Sequence, residues 1–252
     1  MSAATDAGTS IHEVAPDVFR ISTFIPDFDL QFNQFLVRDD APLLFHTGMR
    51  SLFPVVRDAV SRLIDPSTLR FVSFSHFEAD ESGALNEWLA LAPRAEAACS
   101  QVGAMVSVND FALRPARALG QDEVIDTGRH RLRFRATPQV PHAWDAGLLF
   151  DETTGALFCS DLFLQLGQME PSTESDILER VRAGFLASRG TPFDHATPYT
   201  PNTRPLLEGL AALDPRVLLA MHGSTYIGDG RKAILQLADL LEEVFGAPDQ
   251  RA

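Results

Sequence analysis

The sequence predicts an α+β fold in which two β-sheets pack face to face with helices outside, an αββα sandwich. Three observations carry this. Extended and helical segments come in two successive β-then-α sets along the 252 residues, an order that suits two sheets, each covered on one side. No GxGxxG turn follows an early strand, which argues against a doubly wound dinucleotide fold. The apolar runs that read as strands end in histidines and carboxylates, which would gather polar side chains along one edge of such a sandwich.

The segments DVFRISTF, FNQFLVRD and PLLFHTG alternate or run apolar between turn residues and read as the first strands. Leu52 to Ile64 reads as a helix, because Leu52, Val55, Val56, Ala59, Val60, Leu63 and Ile64 share one face. RFVSFS is the next strand, and beyond the acidic cluster that follows it Leu85, Trp88 and Leu89 mark one side of a helix. HRLRFRAT is extended again, and GLLFDETTGALFCS reads as a hairpin turning at DETTG. A helix is expected from Ser172 to Ser188 and another near Leu206 to Leu213, followed by the strand RVLLAM. The closing helix sets Ile234, Leu237, Leu240, Leu241 and Val244 at helical spacing. Residues 1–10 read as a disordered lead and residues 11–252 as one domain, without repeat, low-complexity tract or long linker.

Composition narrows the function. Hydrophobic content of 45% and charged content of 22% are ordinary for a soluble globular protein. No apolar run reaches the roughly eighteen residues of a membrane span. The start, MSAATDAGTSIHEV, lacks the basic and apolar parts of a secretory signal, so a cytoplasmic protein is expected. Cys99 and Cys159 form no CxxC motif and read as small buried residues. A formal net charge of -13, with Lys232 the only lysine, repels phosphate backbones and argues against nucleic-acid binding.

The chemistry concentrates in SFSHFEADESG, where His76, Glu78 and Asp80 stand at alternating positions after a strand and, on an extended loop, would aim the same way. His142 follows RFRATPQVP, Asp161 ends ALFCS and His222 ends VLLAM. Singly, Asp161 reads as a turn or helix cap, and His142 or His222 as a hydrogen-bonded structural residue. Together, three imidazoles and three carboxylates at strand ends point to a metal site, because such groups are costly there unless paired or coordinated. Six donors are too many for one tetrahedral zinc, so two ions per chain are expected.

These residues resemble the metallo-β-lactamase superfamily, and within it the flavodiiron and oxygen-binding diiron branch. That branch carries H-x-E-x-D-H-x-G where the zinc hydrolases carry H-x-H-x-D-H, and here the motif reads His76-Phe-Glu78-Ala-Asp80-Glu81-Ser-Gly83. The resemblance runs from LLFHTG near residue 43, through VPHAWDAGLLFDETTGALFCSDLF, to AMHGSTY. It implies that His76, Glu78 and His142 bind one metal, Asp80 and His222 the other, and that Asp161 bridges them. Glu81 replaces the second histidine of the motif. Adjacent residues on an extended segment diverge, so Glu81 is expected near the second metal but bound weakly or through water. His46 stands where the superfamily has Asp before Thr-Gly, either as a partner of a ligand or as a buried polar residue. His195 and Tyr226 read as pocket-wall residues, His12 and His130 as surface ones.

A carboxylate in place of an imidazole favours iron over zinc, so the expected cofactor is two iron ions, with zinc or manganese as alternatives in purified material. The resemblance implies a core without the flavin domain, with no flavin in this chain and electrons delivered by a separate protein. The leading expectation is a diiron protein that binds, senses or reduces dioxygen or nitric oxide. The alternative is a binuclear metallohydrolase acting on an ester, thioester or lactone. A sensor module with a signalling partner and no turnover is a third reading, and a homo-oligomer is left open.

Overall fold

Alternation along the strands builds four layers. In the strand Val217–Ala220, Val217 and Leu219 face a core between two sheets with Phe35, Phe45 and Phe158. Leu218 and Ala220 face the other way, onto a helical layer with Leu207, Ile234 and Leu237. Leu43 and Phe45 likewise enter the inter-sheet core, while Leu44 meets Val56, Leu85 and Trp88 on the opposite helical layer. Three separate apolar clusters therefore lie between four layers, which is the αββα sandwich that the period of two in the strands demands. The computed structural model describes residues 8–246.

The first sheet contains β1 (Ser10–Ala15), β2 (Val18–Ile25), β3 (Leu30–Val37), β4 (Leu43–Phe45), β5 (Phe71–Ser73), β6 (Glu96–Ser100) and β7 (Arg117–Leu119), in chain order. Pairing is antiparallel from β1 to β4 and parallel from β4 to β7. The second contains β8 (Val124–Asp126), β9 (Arg131–Ala136), β10 (Gly147–Asp151), β11 (Ala156–Ser160), β12 (Ser172–Thr173), β13 (Val217–Ala220) and β14 (Thr225–Ile227). Its order is β12-β14-β13-β11-β10-β9-β8, with β11 and β13 parallel. Each sheet thus contributes parallel neighbours, β4 with β5 and β11 with β13, and loops at the carboxyl ends of such strands form crevices.

Several elements differ from the sequence reading. The helix expected over Ser172 to Ser188 is shorter, Leu178–Ala187. Ser172 and Thr173 instead pair with β14, and the Asp176 side chain accepts from Leu178 N–H at 2.8 Å where the helix begins. The first helix is Phe53–Val60, and Leu63 and Ile64 reach the same core from turns that close on the Val60 carbonyl. The helix near Leu206 to Leu213 covers Thr203–Ala211. Of the expected lead, residues 1–7 lie outside the described residues, and Ser10 already pairs with Ser22. Both cysteines are buried and free. His12 is exposed, as expected.

His130 is a correction. Its ring is buried, and Nδ1 lies 2.8 Å from Oδ2 of Asp151, which also accepts from the Thr154 hydroxyl at 2.6 Å. The pair closes the end of the sandwich away from the ligand-bearing strand ends. Removing one partner of a buried pair leaves the other uncompensated, so His130→Ala should lower unfolding stability by roughly 3 kcal/mol. Denaturant titration would measure this, and metal stoichiometry should be unchanged.

Candidate metal centre

Strand ends deliver the donors. β5 ends at Ser73 and the chain bends at Ser75, His76 and Phe77 before Glu78, whose φ of -133° and ψ of 163° precede a single helical turn, Ala79–Ser82. That turn changes the expected geometry. Neighbours on a helical turn are about 100° apart rather than opposed, so Asp80 and Glu81 can both approach one centre. Asp161 follows β11 directly, and His222 comes two residues after β13. His142 lies in the loop from β9 to β10. Gln139, Ala143, Ser160 and Phe163 all have φ between 52° and 67°. Such left-handed backbone is uncommon outside glycine and gathers at functional sites, and here it flanks His142 and Asp161.

Four donor atoms converge from His76, Glu78, His142 and Asp161. His76 Nε2 lies 3.0 Å from Glu78 Oε2, 2.8 Å from His142 Nε2 and 3.6 Å from Asp161 Oδ2. His142 Nε2 lies 3.2 Å from Glu78 Oε2 and 3.0 Å from Asp161 Oδ2. Metal–ligand bonds of about 2.1 Å put neighbouring donors about 3.0 Å apart in an octahedron and about 3.4 Å apart in a tetrahedron. These spacings are therefore the edges of a coordination polyhedron. On the other side, His222 Nε2 lies 3.2 Å from Asp161 Oδ1 and 3.4 Å from Asp80 Oδ2. Asp161 turns one oxygen to each half, the disposition of a bridging carboxylate.

Backbone carbonyls fix which ring nitrogen faces inward. His142 Nδ1 lies 3.2 Å from the Ala196 carbonyl and His222 Nδ1 lies 2.8 Å from the Gln31 carbonyl. A carbonyl only accepts, so each Nδ1 carries a proton and donates it, and each Nε2 is the nitrogen turned to the centre, free to bind a metal once its own proton leaves. The His222 segment is clamped from the opposite sheet. Asn33 Nδ2 donates to the carbonyls of Ala220 and Gly223, and the Arg20 guanidinium donates to Gly223 as well, each at 2.9 Å. On the other half, Asp145 accepts from the Phe77 N–H at 3.0 Å and holds the loop between His76 and Glu78.

Glu81 is more deeply involved than an extended segment would allow. Its side chain is fully buried, Oε2 lies 3.6 Å from His76 Nε2 and has no hydrogen-bond partner, and Oε1 lies 3.4 Å from the Ser160 hydroxyl. Burial, with the charges of Asp161 and Asp80, pushes its pKa well above the ordinary carboxylate range. Burial also works against Asp161, yet hydrogen bonds from His142 and His222 hold it well below that range. Asp161 Oδ1 meets the His222 ring at 3.2 Å. A buried orphaned oxygen on Glu81, beside four carboxylates and three imidazoles that converge, is what cations would satisfy, so the donor set fits two metals. His195 is exposed beside Ala196, and Tyr226 packs against the helical core of the second sheet.

With fold and geometry in hand, comparison with known proteins decides the family. A sequence profile described as ODP family beta lactamase matches residues 30–223. The chain belongs to this family. The Flavo-diiron protein FprA2 of Clostridium acetobutylicum is 22% identical over 210 residues, covering 81% of this chain and 51% of the relative. The metal-soaked Flv1 flavodiiron core from Synechocystis sp. superposes with a TM-score of 0.76 at 21% identity, covering 93% of this chain and 61% of that one. The rubredoxin oxygen:oxidoreductase from Desulfovibrio gigas gives 0.74 at 17% identity, covering 91% and 62%. These solved structures share the fold. The chain spans 23% to 51% of the length of the curated relatives it matches.

Acid–base behaviour of the metal-free protein follows from the same contacts. Burial would lower His142 and His222, but the carboxylates of Asp161, Glu78 and Asp80 raise both to about 10. A base raised in the fold stabilises it fully below its ordinary value of 6.5 and loses that contribution as pH climbs through the folded value. The melting temperature of metal-free protein should therefore fall from pH 6.5 to about 10. Metal uptake at neutral pH should release protons, measurable in a weakly buffered titration. A flat melting profile and no proton release would contradict the ligand geometry.

Proposed function

We propose that this chain is a non-haem diiron protein that binds, senses or reduces dioxygen or nitric oxide, with electrons from a separate protein. The observation that carries this reading is Glu78, a carboxylate meeting His76 and His142 on one side of a shared Asp161. Two imidazoles and a carboxylate around open positions are a donor set of non-haem iron, and the shared Asp161 brings the carboxylates level with the imidazoles, which hardens the site toward iron. The printed names of relatives and neighbours, a flavo-diiron protein and an oxygen:oxidoreductase, support the same chemistry.

Bound iron would supply electrons and open coordination positions for a small diatomic ligand. Asp161 would set the separation of the two ions, and the Ala196 and Gln31 carbonyls would hold His142 and His222 in the ligating tautomer. Burial and the charges of Asp161 and Asp80 push the pKa of the Glu81 carboxyl up at the wall of the site. Phe77 sits between His76 and Glu78 and packs edge-on against Phe111, 5.4 Å between ring centres, which lines the approach with apolar surface. Such a surface suits an uncharged diatomic, and a net charge of -13 disfavours anionic substrates. No helix among the described residues is long and apolar enough to cross a membrane.

The test compares the anaerobically reduced, iron-loaded protein with the zinc-loaded protein. The iron form should consume dioxygen or bind nitric oxide with a change in its absorption spectrum. The zinc form should hydrolyse ester, thioester and lactone substrates poorly. Inert iron protein with brisk zinc-dependent hydrolysis would transfer the assignment to a metallohydrolase. Glu78→His should raise the preference for zinc over iron on the order of tenfold in competition binding, since imidazole replaces a harder donor.

A further inference from the structure

We infer that His46 is a positioning residue that locks both halves of the metal centre together from beneath. This rests on the ligand assignment above and extends it to residues that touch no metal. The residue before each of three ligands, Ser75 before His76, Ser160 before Asp161 and Met221 before His222, is buried. Met221 and Ser75 meet the His46 ring, which is itself fully buried, and Ser160 joins the cluster through Ser75. His46 Nδ1 lies 2.9 Å from Met221 Sδ and Nε2 lies 3.3 Å from Ser75 Oγ. Ser75 Oγ in turn lies 2.9 Å from His76 Nδ1 and 2.6 Å from Ser160 Oγ. One ring thereby connects β4 to the ends of β5, β11 and β13.

The protons in this cluster have a consistent order. A thioether sulfur cannot donate, so His46 Nδ1–H donates to Met221 and Nε2 accepts from the Ser75 hydroxyl. Ser75 then has two lone pairs left, which accept from His76 Nδ1–H and from a Ser160 hydroxyl that also points at Glu81 Oε1, 3.4 Å away. That last bond leaves Nε2 of His76 as a lone pair facing Glu78 and Asp161. His46 thus orients a ligand it does not touch. Its backbone is held for the purpose: φ is +65°, in the left-handed region, and its N–H donates to the Ser73 carbonyl at 2.8 Å. A neutral imidazole also spares the site a fifth carboxylate below Glu78, Asp80, Glu81 and Asp161. Burial supports that neutrality by lowering His46 to about 3.

The experiment is a cobalt(II) titration of metal-free wild type, His46→Phe and Ser75→Ala, read by visible absorption and by calorimetry. Phenylalanine keeps the ring volume and removes both nitrogen contacts. The expected result is two cobalt ions on wild type, with His46→Phe weakened about tenfold or more at both steps and its cobalt spectrum altered. Ser75→Ala should share the loss chiefly at the step that involves His76. Affinities and spectra equal to wild type in the variants overturn the role of His46, whatever their melting temperatures. If His46→Phe does not fold, Ser75→Ala decides by the same readout. Wild type that takes fewer than two ions overturns the ligand assignment itself, and this inference with it.

Discussion

Four carboxylates, Glu78, Asp80, Glu81 and Asp161, face one another along one edge of the sandwich, and a buried oxygen of Glu81 has no hydrogen-bond partner. Like charges at such separations cannot all stay ionised in a low-dielectric setting unless positive charge lies among them. Three imidazoles partly meet this need, which is why His142 and His222 are driven toward protonation while Glu81 is driven toward neutrality. Metal cations meet it fully, and the donor spacings already match a coordination polyhedron. The charge of this donor set can therefore be balanced in two ways, by protons or by metal cations.

The sandwich supplies that compactness because each half of the centre is tied to the opposite sheet. His222 belongs to the second sheet, but its ring is aimed by Gln31 and its chain is clamped by Asn33 and Arg20, all from the first. His76 leaves the first sheet, and its neighbour Ser75 accepts from Gly147 N–H at the start of β10 while its hydroxyl meets Ser160 at the end of β11. The ligand positions thus report the packing of the two sheets. This suits a chemistry in which the distance between two ions matters more than the shape of a large substrate pocket.

Much of this was legible in the sequence because it rests on local pattern. Strands with an apolar period of two, the hairpin at DETTG and the ligand types at strand ends all register in short windows. What escaped depends on distant partners. Strands as short as β7, β12 and β14 carry too few residues for a period, and β12 exists only because β14 lies beside it. His130 looked like a surface residue since Asp151 meets it only across the fold. Glu81 was expected to diverge from Asp80, and the helical turn at Ala79–Ser82 reversed that. The carbonyls of Ala196 and Gln31, which fix two imidazole tautomers, carry no side-chain signal at all. His46, open to two readings on sequence, meets Ser75 and Met221, partners that lie far from it along the chain.

The central claim is that two metal ions share Asp161. Anomalous diffraction from crystals of iron-loaded protein tests it most directly. Two peaks should flank the Asp161 carboxylate about 3.5–4 Å apart, the separation of two-metal sites, one beside His76, Glu78 and His142 and the other beside Asp80 and His222. A single peak, or two peaks that do not share Asp161, would contradict it.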